Sequence, residues 1–211
     1  METLNNALTR SSPSQFLPRS LRGRNRGAPG SQFLLLFVSV FFTAFLSSEY
    51  SSAQVHPTES QVKAAYLYNF GKFVRWQDQS PNTASIKICV LGKDPFGTVL
   101  DSTVAGESID GRKIIVKRVV KVQDAATCNI LYISSSEESR LGFILSSVQH
   151  FAPLTVSDIP NFVERGGIIE FVEQQGRIRF EVNLLAAEQS HVSLSSELLK
   201  VAIRVIDQAA P

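Results

Sequence analysis

Hydrophobic and polar positions between residues 58 and 207 fall into short segments that switch between helical and strand periodicity. Thr58 to Trp76 carries Val62, Tyr66, Phe70 and Phe73 at helical spacing on one face, with Thr58 or Ser60 placed to cap it. Phe70 and Phe73 are expected in the core. The turn-forming DQSPNTAS follows, and IKICVLG (Ile86 to Gly92) then reads as a buried strand. Asp94 and Pro95 suit the N-cap and first position of a short helix through Leu100. A turn rich in Gly and Asp at 106–111 leads into a strand over Lys113 to Val119, and Asn129 to Ser134 forms another. Ser135 and Glu138 have capping-box spacing at the start of a helix running to about Gln149. Pro153 to Asp158 reads as a strand, and Pro160 to Arg165 as a short helix stopped by Gly166-Gly167. Ile168 to Glu173 and Arg177 to Val182, joined by Gln-Gln-Gly, form an antiparallel hairpin. The last helix is Ser196 to Asp207, with Leu198, Val201, Ala202 and Val205 inward.

Helices alternating with strands that are apolar on both faces predict an α/β fold. The expected form is a single three-layer sandwich with a mixed, mostly parallel central sheet flanked by helices. The hairpin makes the sheet mixed, and one helix precedes the first strand while another closes the chain.

Upstream of this domain the pattern changes. Arg10, Arg19, Arg22, Arg24 and Arg26 lie in a positive region, residues 1–32, ahead of an apolar run over residues 33–46. That run is shorter than the ~20 residues a bilayer span needs, and Ser51 and Ala53 are small residues placed for cleavage. Residues 1–53 are therefore expected to be a signal peptide cut near Ala53, with residues 54–211 as the exported domain. An uncleaved anchor is the alternative. The leader is long, which leaves open a true start downstream of Met1. It has no adjacent arginine pair and no cysteine near its end, so general secretion without a lipid anchor is expected.

Removing the leader reverses the charge balance. Of 21 basic and 19 acidic side chains, five arginines and two acids leave with it, so 16 basic face 17 acidic. The exported part lacks the clustered basic character that nucleic-acid binding demands. About 158 residues remain, enough for one domain with a substantial core.

No catalytic constellation emerges, and an enzyme is not expected. Gly92 to Thr98 resembles a phosphate loop superficially, but Thr98 stands where the lysine belongs. His56, His150 and His191 share no metal-ligand spacing, and there is no GxSxG elbow. No cofactor or metal is implied. Cys89 and Cys128 fall in strands expected to be neighbours, where either a disulfide or two buried thiols would fit.

Two groups of residues suggest binding. Tyr66, Tyr68, Phe70, Phe73 and Trp76 supply five of the exported chain's 12 aromatics and wrap around the first helix. Tyr68 and Trp76 lie off the main stripe and are candidates for a partner surface, although aromatic stripes usually belong to a core. Arg177, Arg179, Glu181 and Asn183 alternate along one hairpin strand and so share a face. Arg177, Arg179 and Asn183 are candidate contacts for an anionic or zwitterionic small molecule. The same row equally suits a solvated face paired with Glu170 or Glu173.

Several ordered blocks resemble the YfiR-like family: KAAYLYNFGKFVRW (Lys63 to Trp76), ICVLGKDPFG (Ile88 to Gly97), CNILYISSSEESRL (Cys128 to Leu141), LTVSD (Leu154 to Asp158), RIRFEVNLLAA (Arg177 to Ala187) and SSELLKVAIRV (Ser195 to Val205). The resemblance implies an exported, periplasmic α/β protein of a Gram-negative envelope. It implies a repressor that binds the periplasmic sensor region of an inner-membrane diguanylate cyclase and lowers cyclic di-GMP, restraining biofilm growth. Other members stand beside different membrane signalling proteins, so the partner does not follow from the fold. The resemblance also implies that Cys89 and Cys128 bond. Characterised relatives carry a second cysteine pair near the segment corresponding to Val163–Glu170, which this chain lacks, so a redox switch built on that pair is not implied. A small-ligand-binding module feeding another membrane receptor is the alternative function, and a homodimer is compatible with the sequence.

Overall fold

The computed structural model describes residues 56–76 and 85–207, all within one compact unit, Val55–Pro211. The expected signal peptide, residues 1–53, and nearly all of the DQSPNTAS turn lie outside the described residues.

Helix α1 (Glu59–Phe73) opens the domain. Thr58 caps it: its Oγ1 accepts from Gln61 N at 3.3 Å, while Gln61 Oε1 accepts from Thr58 N at 2.7 Å. The chain then passes through β1 (Val74–Trp76), β2 (Ser85–Leu91), α2 (Thr98–Val104), β3 (Ser108–Ile109), β4 (Arg112–Val119) and β5 (Ile130–Ile133). It continues through α3 (Leu141–Val148), β6 (Leu154–Ser157), β7 (Ile169–Gln174), β8 (Arg177–Asn183), α4 (Leu184–Gln189), β9 (Val192–Leu194), α5 (Ser196–Val201) and β10 (Arg204–Ile206).

Eight strands form one sheet in the order β10-β8-β7-β6-β5-β2-β4-β3. The run β4-β2-β5-β6-β7 is parallel; β8 is antiparallel to β7, and β3 to β4. The fold is thus the expected mixed, mostly parallel α/β sandwich. Alternate strand residues feed two cores. On one face, α1 and α2 pack Leu67, Phe70 and Leu100 against Ile88, Ile130, Val156 and Phe180. On the other, α3 and the 3-10 turn Val122–Thr127 cover Cys89, Leu91, Leu131 and Ile133.

Four local expectations are corrected. The first helix stops at Phe73 rather than Trp76, because Val74–Trp76 pairs antiparallel with Val192–Leu194. Its buried stripe is Lys63, Ala64, Leu67, Phe70 and Gly71, so Phe73, placed in the core from its spacing, is 39% exposed. Gly71 permits this close docking, since a Cβ there would lie 2.5 Å from Ile109 Cδ1. Asp94-Pro95 does not start a helix: α2 begins at Thr98, and Asp94 Oδ1 accepts from Phe96 N at 2.7 Å in a tight turn. Pro160–Arg165 is a series of turns rather than a helix. The Glu170 carboxylate takes the amides of Asn161 and Val163 at 3.0 and 3.2 Å, and Asn161 is left-handed (φ 58°). The final helix ends at Val201, and the chain closes with a strand: β10 runs parallel to β8, satisfying an edge that local periodicity cannot see. Val201 is 60% exposed as a result, and Val205 also faces outward.

The helix after Ser134 begins as a 3-10 turn, Ser135–Arg140, capped by Ser134 itself. Cys89 and Cys128 are joined by a disulfide with Cα atoms 5.9 Å apart, buried in the second core. It closes a loop spanning 39 residues. Replacing both cysteines by serine should cost about 4 kcal/mol on the chain-entropy model, read as a lower urea midpoint, with a somewhat steeper slope as the unlinked denatured chain expands. An unchanged midpoint would show that the bond adds nothing to the fold.

Candidate functional site

Open parallel sheets usually bind ligands where strand order reverses, here between the carboxyl ends of β2 and β5. This chain fills that crevice with itself. Gly92 (φ 91°) lies against the loop after β5, where a Cβ would be 2.5 Å from Ser136 Oγ. Lys93 N donates to the same hydroxyl at 2.9 Å, and Ser134 N to Leu91 O at 3.0 Å. Phe96 closes the inner side edge-on to Tyr132, with centroids 4.8 Å apart.

The concavity lies instead beside the hairpin. Ser157, the last residue of β6, pairs with Glu170, so β7 runs about 13 Å past β6 through Phe171–Gln174, paired there with β8 only. Gln175 and Gly176, both at positive φ (54° and 69°), turn the chain into β8. The amino-terminal half of α1 leans on this projecting hairpin, leaving a cavity of about 710 Å³. Glu59, Val62 and Tyr66 line it from the helix, and Glu173, Arg177 and Arg179 from the hairpin. Tyr66 is its one aromatic wall residue besides the His56 ring, and behind it lie the buried Phe70 and Phe180, at 5.7 and 5.5 Å centroid to centroid. The Tyr66 hydroxyl donates to Ile178 O at 3.4 Å.

Beneath the helix sits a buried charge that patterning does not reveal as such. Lys63 Nζ lies 2.6 Å from Asp158 Oδ2 and 2.5 Å from Glu59 Oε1. Burial works against its charge, but the hydrogen bonds and charges of Asp158 and Glu59 outweigh it and raise the Lys63 pKa above the ordinary value of 10.5. Burial, with the nearby Asp158 charge, also pushes the Tyr132 hydroxyl up, keeping it protonated. The spacing of Glu59 and Lys63 is the one sequence signal of this cluster.

The candidate residues separate in space. Arg177 and Arg179 border the cavity from the face of β8 opposite Ile178 and Phe180, and neither has an ion-pair partner among the described residues. Asn183 lies buried at the other end of β8, where Oδ1 caps α4 by accepting from Ala186 N at 2.9 Å and Nδ2 donates to Val163 O at 2.7 Å. Glu181, opposite Glu170, is held by Arg204 at 2.8 Å. Burial raises the pKa of Glu170 despite its two amide donors. Tyr68 is half-buried, its hydroxyl 2.5 Å from Glu107 Oε2 and its ring 3.9 Å beneath Lys72 Nζ. Trp76 is half-buried in β1 and borders a second cavity, about 570 Å³, with His150 and His191. Among the described residues, no three His, Cys, Asp or Glu side chains gather as a metal site.

With this geometry in view, the model of the YfiR/HmsC-like family matches residues 60–203, and the chain belongs to that family. The family is periplasmic and regulatory rather than catalytic, and its members interact with membrane signalling partners. No described helix is long and apolar enough to cross a membrane. No curated protein matches the chain. Among solved structures, a conserved domain protein from Vibrio cholerae is 14% identical, with TM-score 0.47 over 70% of this chain and 60% of that one. An ABC domain from Streptococcus pneumoniae, in complex with L-Trp, is 16% identical, with TM-score 0.48 over 68% and 60%. The chain spans about 60% of the length of each of these structures.

Lys63→Met should cost about 2–3 kcal/mol in urea unfolding, since it strands Asp158 beside a buried tyrosine. A raised lysine pKa supplies stability that is complete below the unfolded value near 10.5 and is lost as pH climbs through the folded value. The parent should therefore lose more stability than the variant between neutral pH and pH above 10.5, and parallel pH profiles would refute the assignment.

Proposed function

We propose that this chain is a periplasmic regulator that binds the sensor region of an inner-membrane signalling protein and holds it inactive. The partner proposed is a diguanylate cyclase, so that the bound complex lowers cyclic di-GMP. The family match over residues 60–203 carries this reading. Physically, repression requires tighter binding to the sensor's inactive state than to its active one, by the same free energy that shifts the cyclase population. The docking surface proposed is the carboxyl half of α1 and β1, where Phe73 is exposed between the half-buried Tyr68 and Trp76. Residues 1–53 act as the cleaved export signal in this reading, and the domain itself performs no catalysis.

Deleting the gene should raise cellular cyclic di-GMP, and a parental copy should restore it. A Phe73→Glu copy that accumulates normally should fail to restore it, whereas full restoration would move the interface elsewhere. An unchanged level in the deletion strain would refute the cyclase as partner.

The hairpin cavity favours a second reading, a small-ligand module, because Arg177 and Arg179 border it with Tyr66 and neither arginine has an ion-pair partner among the described residues. An anionic or zwitterionic metabolite should then raise the melting temperature of the parent and leave Arg179→Ala unmoved. A panel of such solutes with no specific shift would exclude this reading.

A further inference from the structure

The second face of the sheet is only partly covered. Cys89, Leu91 and Val119 lie in the core beneath α3 and the 3-10 turn. Earlier in the same strands, no described residue provides that cover for Lys113, Ile115 or Lys117, which are exposed. Registers Ser85↔Lys113, Lys87↔Ile115 and Cys89↔Lys117 place Lys87, Lys113 and Lys117 on this face around Ile115. Lys113 and Lys117 are exposed, about 13 Å apart along β4, and Ile115 between them is 43% exposed.

None of the three ammonium groups has an ion-pair partner among the described residues, and neither strand contains an acidic residue. The opposite face differs: Arg118 on β4 is bound by Asp94 and Asp101 at 2.9 and 2.5 Å. Lysines on edge strands often guard against strand pairing, but β2 lies between β4 and β5, so that role does not account for Lys87. The patch is therefore a positive, partly apolar face on a domain whose other side chains, 13 basic against 17 acidic in residues 54–211, are net negative.

We propose that this lysine face docks on an anionic phospholipid surface, holding the protein beside the bilayer that carries its signalling partner. Three features favour a lipid surface over an acidic protein. The patch lies on an open sheet face rather than in a cleft. Its cations are lysines, mobile point charges suited to a fluid array of headgroups, whereas fixed carboxylates favour the arginine fork. Ile115 offers an exposed apolar side chain among the lysines. The inference is independent of the cyclase reading, since the test contains lipid and no protein partner.

The test is cosedimentation of residues 55–211, a unit with its own cores and without the apolar leader. Vesicles of phosphatidylglycerol and phosphatidylethanolamine should bind the domain, less strongly as salt rises, while phosphatidylcholine vesicles should not. Lys87→Gln/Lys113→Gln/Lys117→Gln should weaken binding on the order of 100-fold, at about a factor of five per basic residue near an anionic surface. The corresponding triple arginine variant should keep it, which separates charge from folding. Absence of binding to the anionic vesicles, equal binding to both kinds, or undiminished binding by the glutamine variant would overturn the proposal.

Discussion

The position of α1 is fixed at one end by a buried charge and at the other by a missing side chain. Lys63 reaches under the helix to Asp158 at the carboxyl end of β6, while Gly71 lets the helix backbone settle onto Ile109. Between them Leu67 and Phe70 fill the first core. A charge taken out of water is tolerated only when its partners are correctly placed, so the Lys63–Asp158 pair ties the helix to one register on the sheet. The hairpin cavity depends on that register, because Glu59, Val62 and Tyr66 reach it only when α1 leans across the end of β6.

The proposed roles of this domain use different parts of that arrangement. The cavity uses the amino-terminal half of α1 and the tip of the hairpin, and the proposed sensor contact uses the carboxyl half of the same helix. One rigid element thus joins two surfaces. A solute that altered the seating of α1 would change the surface offered to a membrane partner, and the reverse would follow by linkage. The filled crevice between β2 and β5 keeps the usual ligand position of such sheets out of this scheme.

The sequence revealed most of what local periodicity can encode. The parallel core strands, the β7–β8 hairpin and the alternation of buried positions were legible, because apolar runs bounded by turn residues carry the information themselves. Misreadings arose where a distant partner decided the conformation. Val74–Trp76 continues the helical pattern until β9 claims it. Ala202–Ile206 does the same until β8 offers an edge. Pro160–Arg165 looks helical, yet a carboxylate ten residues from Pro160 takes its amides. At the candidate site, the alternation of Arg177 and Arg179 was readable, but Asn183 shared their period and not their place. Its amide is engaged in capping. The ionic cluster of Lys63 was hidden because Asp158 lies 95 residues away.

The order of strands has a consequence for how such a chain is assembled. From β5 onward, β6, β7, β8 and β10 occupy successive places outward from the centre, in the order in which they occur in the chain. A polypeptide emerging amino terminus first can lay each of these strands on a template already present, so the growing edge moves steadily to one side. The last addition, Arg204–Ile206, is three residues long. It leaves little backbone for any further strand to recognise. Growth in that direction is self-limiting, and the finishing strand acts as the terminator of its own sheet.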